Sequence, residues 1–523
     1  MCVRPFDIDS IYLIIITVFI FAIVTWNILD NTFRLQNQIG HCIEEFSSSD
    51  HGLQFQKGIR WFLRLLAIAV ALWVIIDVGI RRPANLISLA GIAFYVLLFF
   101  IFSIDRSKIK WHTVFWGLML QMIIAIFIIK TKEGFTLFYW IGERVTDFLR
   151  HSDVGSKFVF GDAYTAHPFV FIVMPMIVFF SSVMSILYYW GVMQSVVRVF
   201  GRFLAFTMDT TPAESISAAS NIFIGMTEAP LIVKPFITEM TLSELHAVMT
   251  GGFATIAGSL LGLYISYGVK AQHIISASVM SAPAALAMSK LVYPETEVSK
   301  GNSKDYNKLD IGHQKNTIDA ASNGASQSIK LIANICVNLI AFLSILSFTN
   351  AALTWFGERV NIEKLTFEKI CSYLLYPLAF LMGAAKDDCL QVAELLGLKT
   401  FLNEMIAYQK LSQFISNRKA FENYTSYFNS SDSWTYISND VYLNHTHETL
   451  LGGFMSERSE IISTYALCGF ANIGSIGIMI GGLTILAPQR RNDLAGMVVR
   501  AMIAGNVACF LTACISGLMI EYS

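Results

Sequence analysis

The sequence predicts an all-α polytopic membrane protein with about ten transmembrane helices and two re-entrant helical hairpins in an inverted repeat. Three observations carry this. Of 523 residues, 54% are hydrophobic and 14% charged, with mean hydropathy +0.56; a soluble globular domain carries roughly 25% charged residues. Apolar runs of spanning length recur at about 11–29, 61–80, 85–104, 113–131, 168–191, 244–268, 272–292, 328–355, 461–487 and 495–519. Two further apolar regions, about 205–238 and 366–412, are broken by polar residues and glycines, and each holds a carboxylate, Glu228 and Glu404. Both lead into a helix that is itself interrupted by Gly, Asn or Ser, which signals an internal repeat.

The first broken region centres on NIFIGMTEAP (221–230), where Gly225 and Pro230 flank Glu228 and both disfavour helix. In lipid, a non-helical turn beside a carboxylate is tolerated only where it lines a protein-enclosed cavity. The stretch therefore reads as a hairpin whose tip faces a polar ligand; the alternative is a re-entrant turn with a structurally paired glutamate.

Lysine and arginine bias sets the orientation. The short basic segments Asp105–Lys110, Arg198–Arg202 and Gln489–Arg491 belong in the cytoplasm, which leaves the C-terminus and the loop at about 412–458 outside. That loop carries three N-x-S/T sequons, at Asn423, Asn429 and Asn444; glycosylation needs the lumenal side, so the two signals agree. The mixed-charge stretch 293–327 reads as a cytoplasmic connection, and the single run at 11–29 puts the N-terminus outside. The run at 11–25 has no small-residue cleavage site after it, so it reads as a retained span. The eight cysteines (Cys2, Cys42, Cys336, Cys371, Cys389, Cys468, Cys509, Cys514) show no metal-ligand spacing and read as small buried thiols. A net charge of −1 gives no reason to expect a nucleic-acid partner.

Four clusters of polar residues interrupt the apolar background: Asn221 with Gly225-Met226-Thr227-Glu228; Thr255-Ile256 with Ser259; Asn403-Glu404; and Asn472 with Ser475. Carboxylates, amides and hydroxyls beside unwound backbone can bind both a polyhydroxylated solute and a small hard cation. Each cluster also has a plainer reading. Thr255 and Ser259 can bond back to carbonyls one turn earlier, and Asn472 can be interhelical glue. No P-loop, HExxH or GxSxG is present, which argues against ATP-driven transport within the chain and against an enzyme. A membrane hydrolase using Glu228, Glu404 or Asp387-Asp388 would need a nucleophile or metal set that the spacing does not offer.

At these residues the chain resembles the concentrative nucleoside transporters, the sodium/nucleoside symporters, and in particular their purine-preferring animal members. The resemblance runs from about residue 59 to 519, through KIKWHTVFWGLMLQ (108–121), GSKFVFGDA (155–163), NIFIGMTEAP, SAPAALAMSKLVYPETE (281–297), GLKTFLNEMIAY (397–408) and RSEIISTYALCGFANIGSIGI (458–478). Two departures stand out: Met405-Ile406 where the family has Phe-Val, and Asp209 where it usually has Gly. Asp209 is expected at a helix start, as a cap.

The resemblance implies a homotrimer of elevator-type protomers, each with a scaffold and a moving transport domain; the sequons and basic segments suit a plasma membrane. It divides the chain into an N-terminal region (1–58), scaffold helices (59–200), first hairpin with transport-domain helices (201–292), cytoplasmic loop (293–327), scaffold helix (328–365), second hairpin (366–411), extracellular loop (412–458), and a transport-domain helix with a final scaffold helix (459–523). It implies that Met226, Thr227 and Glu228 face the nucleobase, that Leu260 lines its pocket, and that Glu404, Asn472 and Ser475 bind the ribose hydroxyls. Asn221, Ile224, Thr255 and Ile256 are implied to hold sodium, the co-transported ion, with no other cofactor. Met226 stands where many relatives have Gln, and with Gly225 it resembles the purine-preferring pattern. The expected substrates are purine nucleosides, with uridine tolerated. The alternatives are a carrier of another polar solute such as a nucleobase, and a nucleoside sensor on the same scaffold.

Overall fold

The computed structural model describes residues 17, 50–167, 169–226, 228–299, 314–362, 365–428, 433–437 and 440–520. The chain forms two compact units, Met1–Ile76 and Asp77–Ser523. The described part of the first is Thr17 and most of a helix, α1 (Asp50–Arg81), which covers the run expected at 61–80. The span expected at 11–29, with the N-terminal side it was assigned, lies outside the described residues, as do Cys2 and Cys42.

The second unit begins with α2 (Leu86–Ile101), α3 (Trp111–Ala125, prolonged by a π-turn, Ile126–Lys130), α4 (Lys132–Arg150) and α5 (Ser152–Phe160). It continues through α6 (Met174–Tyr189) and α7 (Val192–Met208). From there one succession occurs twice. The first copy is a hairpin from α8 (Pro212–Ser220) to the short α9 (Ala229–Ile232) and α10 (Lys234–Ile237). A broken helix follows, α11 (Leu242–Ala254) and α12 (Leu261–Ser266), and then the continuous α13 (Ala271–Val292).

After α14 (Thr317–Arg359), α15 (Phe367–Leu374) and α16 (Tyr376–Leu381), the second copy is a hairpin of α17 (Cys389–Gly397) and α18 (Glu404–Tyr427). Then come the broken helix α19 (Glu457–Leu467) and α20 (Ile473–Leu486), and α21 (Arg491–Met519). Among the described residues, seven helical stretches are long and apolar enough to cross a membrane, and Ile473–Leu486 is a shorter apolar helix. The core lies where the copies meet: 89% of the apolar windows of Leu242–Ser266 and Ala271–Val292 is buried, against 6% for Thr317–Arg359.

Local chemistry sets the boundaries, and it moves three of those expected from sequence. The long helix α14 starts at Thr317, ahead of the apolar run at 328, because the Asn316 side chain accepts from the Asp319 N–H at 2.8 Å and caps it. Helix α18 continues past residue 411 to Tyr427, since Leu411, Phe414, Ile415 and Tyr424 form a buried stripe at helical spacing within a polar stretch. The remainder of the expected loop is an antiparallel meander, β1 (Trp434–Ile437), β2 (Asp440–Leu443) and β3 (Glu448–Leu450). Val441, Leu443 and Leu450 pack there on Tyr424. Asn423 is exposed on the last turns of α18, Asn444 is half-buried in the β2–β3 turn, and Asn429 lies outside the described residues.

The third correction is Asp209. It ends α7 in the left-handed region, at φ 56°, and does not start a helix. A position that demands positive φ explains why glycine is usual there; aspartate is one of the side chains that tolerates it. The following helix α8 has Pro212 at its first position, and the Glu214 carboxylate accepts from the Thr211 N–H at 2.7 Å, the carboxylate half of a capping box.

Candidate functional site

Two breaks in regular structure face each other in each half. In the first, the hairpin chain between α8 and α9 lies against the unwound link between α11 and α12. The contact is close: a Cβ at Gly258 would stand 2.6 Å from the Phe223 carbonyl oxygen, so only glycine lets the link approach the tip.

Asn221, at the end of α8, is fully buried. Its Nδ2 donates to the Ser217 carbonyl at 2.9 Å, while its Oδ1 has no partner. The amide lies against Gly251, and the Thr255 hydroxyl donates to the Gly251 carbonyl at 3.0 Å. That bond is the backbone one the plainer reading foresaw, and it leaves the lone pairs of Oγ1 unused. Ile224 and Ile256, which follow on the same two segments, are buried at 4% and 3% exposure. An orphaned buried amide oxygen is an atom that a hard cation can satisfy.

Met226 is buried against Gly252 of α11 and beside Met479 of α20, and Leu260 is buried at the start of α12. Thr227 lies outside the described residues. Glu228 is exposed, its Oε2 accepting a 3.4 Å bond from the Gly225 N–H. Together with Ile224 and Ser259 it lines a cavity of about 290 Å³, whose far wall is α6 and α14.

The second half is closed. Asn403 is extended and caps α18, its Oδ1 accepting from the Ile406 N–H at 2.9 Å, so Glu404 is the first residue of a continuous helix. Its Oε2 accepts from Asn472 Nδ2 at 2.8 Å, and Asn472 Oδ1 in turn accepts from the Ser475 N–H at 2.8 Å, capping α20. Glu404, Asn472 and Ser475 are exposed by only 1%, 3% and 4%, and none of them lines the cavity that holds Glu228. The structure thus brings the sequence-predicted residues together as two sets, an open one around Glu228 and a shut one around Glu404.

The breaks in α11–α12 and α19–α20 free carbonyls that need donors. Tyr408 Oη donates to Thr464, Lys399 Nζ to Ala466 at 2.9 Å, Cys509 Sγ to Cys468, and Asn506 Nδ2 to Ala471 at 2.8 Å. The Phe470 N–H donates to the Thr255 carbonyl at 3.3 Å, clipping the two unwound links together. Lys399, Asn506 and Phe470 are residues that the sequence reading passed over. Lys399, a cation in an apolar run, was the one with a visible signal.

Three sequence profiles match: the N-terminal domain of a Na+ dependent nucleoside transporter over residues 90–163, a nucleoside-recognition domain over 170–270, and the C-terminal domain of a Na+ dependent nucleoside transporter over 273–517. Solute carrier family 28 member 3 of Eptatretus stoutii is 48% identical over 88% of this chain and 64% of its own length. Sodium/nucleoside cotransporter 2 of Mus musculus is 45% identical over 99% of this chain and 74% of its own. The chain thus spans just under two thirds of the hagfish relative. Among solved structures, CNTnw in an inward-facing substrate-bound state matches with TM-score 0.73 and 32% identity over 83% of this chain and 98% of that one. A doubly substituted CNTnw in an outward-facing state matches with TM-score 0.74 at 32% identity, over 84% and 99%.

Proposed function

Because the chain belongs to the sodium-dependent nucleoside transporter family, we propose that it carries nucleosides into the cell by symport with sodium. The observation that carries the reading is the pairing of two unlike polar sets in one membrane-embedded fold: the orphaned Asn221 Oδ1 and the buried Glu404–Asn472 bond. Asn221, Thr255 and the carbonyls of Ile224 and Ile256 hold sodium. Glu404, Asn472 and Ser475 take the ribose hydroxyls, while Met226, Thr227, Glu228 and Leu260 surround the base.

Sodium seated between the first hairpin and the α11–α12 link fixes the hairpin tip in its base-binding shape. Nucleoside affinity then depends on sodium, and sodium affinity on nucleoside by the same factor. The hairpins and broken helices move together past α6 and α14, an elevator form of alternating access. The protomer works as a homotrimer in the plasma membrane, its C-terminus and the sequons at Asn423, Asn429 and Asn444 outside. Met226 offers the base polarisable apolar contact with no hydrogen bond for a pyrimidine edge, which favours adenosine, guanosine and inosine, tolerates uridine, and disfavours cytidine and thymidine.

The test is uptake of labelled adenosine into cells expressing the chain, in sodium and then in choline medium, with the other nucleosides as competitors. Saturable uptake that requires sodium, competed by purine nucleosides ahead of cytidine and thymidine, is the expected result. Sodium-independent equilibration would remove the coupling; cytidine uptake equal to that of adenosine would remove the purine preference.

A further inference from the structure

The cavity in front of Glu228 has a second wall whose residues have no role so far. It is built from α6 and α14, which cross closely enough that a Cβ at Gly324 would lie 2.5 Å from the Ser181 carbonyl oxygen and 2.7 Å from Ser185 Cβ. Such a crossing fixes the two helices as one surface. Near the end of α6 this wall presents Tyr188, whose hydroxyl is buried and makes no hydrogen bond. The Tyr188 carbonyl accepts a 2.9 Å bond from Gln194 Nε2, and Trp190 Nε1 donates to the Thr317 hydroxyl at 3.3 Å, so the backbone around the ring is held on both sides.

A buried phenol without an acceptor costs about 1–3 kcal/mol in unmet hydrogen bonding unless something supplies one. Across the cavity, Glu228 offers carboxylate oxygens and has only the long bond from Gly225. The cavity therefore sets a hydrogen-bond donor on its fixed wall opposite an acceptor on the hairpin. The chemistry that satisfies both at once is a planar ring edge with a donor next to an acceptor, which purine nucleobases have. At about 290 Å³ the space sits at the small end of ligand pockets.

We propose that the Tyr188 hydroxyl is a second nucleobase contact, holding the base against Glu228 while the nucleoside passes the α6–α14 wall. This deepens the transport reading and rests on it. The cavity lies at the Trp190–Thr317 end of the two helices, and Gln314 and Gly324 of the mixed-charge stretch 293–327, read from sequence as a cytoplasmic connection, line it. The contact therefore belongs to the release step: it sets affinity from the inside and leaves affinity from the outside untouched.

The experiment compares uptake with efflux of adenosine in cells expressing wild-type protein or Tyr188→Phe. In the variant the adenosine concentration giving half-maximal efflux rises about three- to tenfold, the loss of one hydrogen bond, while half-saturation of uptake stays within about twofold. A variant equal to wild type in both directions overturns the proposal, and so does an equal rise in both, which marks a purely structural role. A second measurement needs no variant. Wild-type protein discriminates adenosine from benzimidazole riboside, whose six-membered ring carries no nitrogen, more steeply in efflux than in uptake; equal discrimination overturns the proposal. Wild-type cells that show no sodium-dependent adenosine uptake would instead defeat the transport reading itself.

Discussion

The two hairpin tips are built from similar sequence material and end in different states. The first passes from α8 through an irregular tip into two helices of four residues each. It leaves one buried amide oxygen unpartnered and one glutamate open to a cavity. The second passes through a single extended residue, Asn403, into a helix of 24 residues, with its glutamate already bonded to Asn472. The second tip is therefore preorganised, since its donors and acceptors are held before any ligand arrives. The first is conditional on the proposed reading, in which sodium and the base complete the polar groups it leaves open. A coupled carrier benefits from that division: a fixed half reads the solute, and an adjustable half makes the reading depend on the ion.

The largest effect comes from breaking the fixed half. In Glu404→Gln the proposed acceptor for a ribose hydroxyl loses its charge, and the amide competes with Asn472 as a donor. Hydrogen bonds to charged groups are worth about 1.5–3 kcal/mol, so the efficiency of sodium-dependent adenosine uptake falls roughly 10- to 100-fold. Half-saturating sodium measured on the residual uptake should change far less. Loss of sodium affinity equal to the loss of nucleoside affinity would mean that the two halves are not separable in this way.

Removing the orphan of the conditional half is the converse experiment. Asn221→Ala deletes Oδ1 together with the Nδ2 bond to Ser217. Half-saturating sodium rises about tenfold, the worth of one ligand-type hydrogen-bonding oxygen. Discrimination between adenosine and its 2′- and 3′-deoxy analogues, which on the proposed reading reports on Glu404 and Asn472, stays as in the wild type. A collapse of that discrimination would show that the second tip also depends on the first.

How much of this was legible in the sequence follows the same division. Glu228, Glu404, Asn221 and Asn472 stood out because a polar group in an apolar run has a cost that a ligand or partner must offset. The pairing of Glu404 with Asn472 was less visible, because nothing local says that residues 68 positions apart in sequence share a bond. Tyr188 was hidden because a tyrosine near the end of an apolar helix matches the interfacial aromatic belt. Phe470 acts through its backbone N–H, which carries no sequence signal at all. The polar stretch after residue 411 hid a helix because its buried stripe, Leu411 to Tyr424, is thin against the charged residues around it.

The smallest effect tests whether the comparison of the two tips reaches beyond them. Asp209 closes α7 just ahead of the first hairpin, with φ 56°. It lines a small polar cavity with Thr210, Thr211 and Glu214. A left-handed non-glycine residue costs about 1 kcal/mol, and Asp209→Gly relieves that strain while loosening the unfolded chain. The two terms nearly cancel, so the melting temperature of the purified protein moves by no more than about 2 °C. If the strain at Asp209 helps to hold α8, and with it Asn221, then relieving it changes half-saturating sodium. If Asp209 is only a tolerated substitute for glycine, sodium dependence stays within about twofold of wild type. The second outcome is expected, because α8 is fixed independently by the 2.7 Å bond from the Thr211 N–H to Glu214 and by the 2.7 Å ion pair between Glu214 and Lys290. With those anchors in place, the conditional character of the first hairpin belongs to its tip and not to the turn that introduces it.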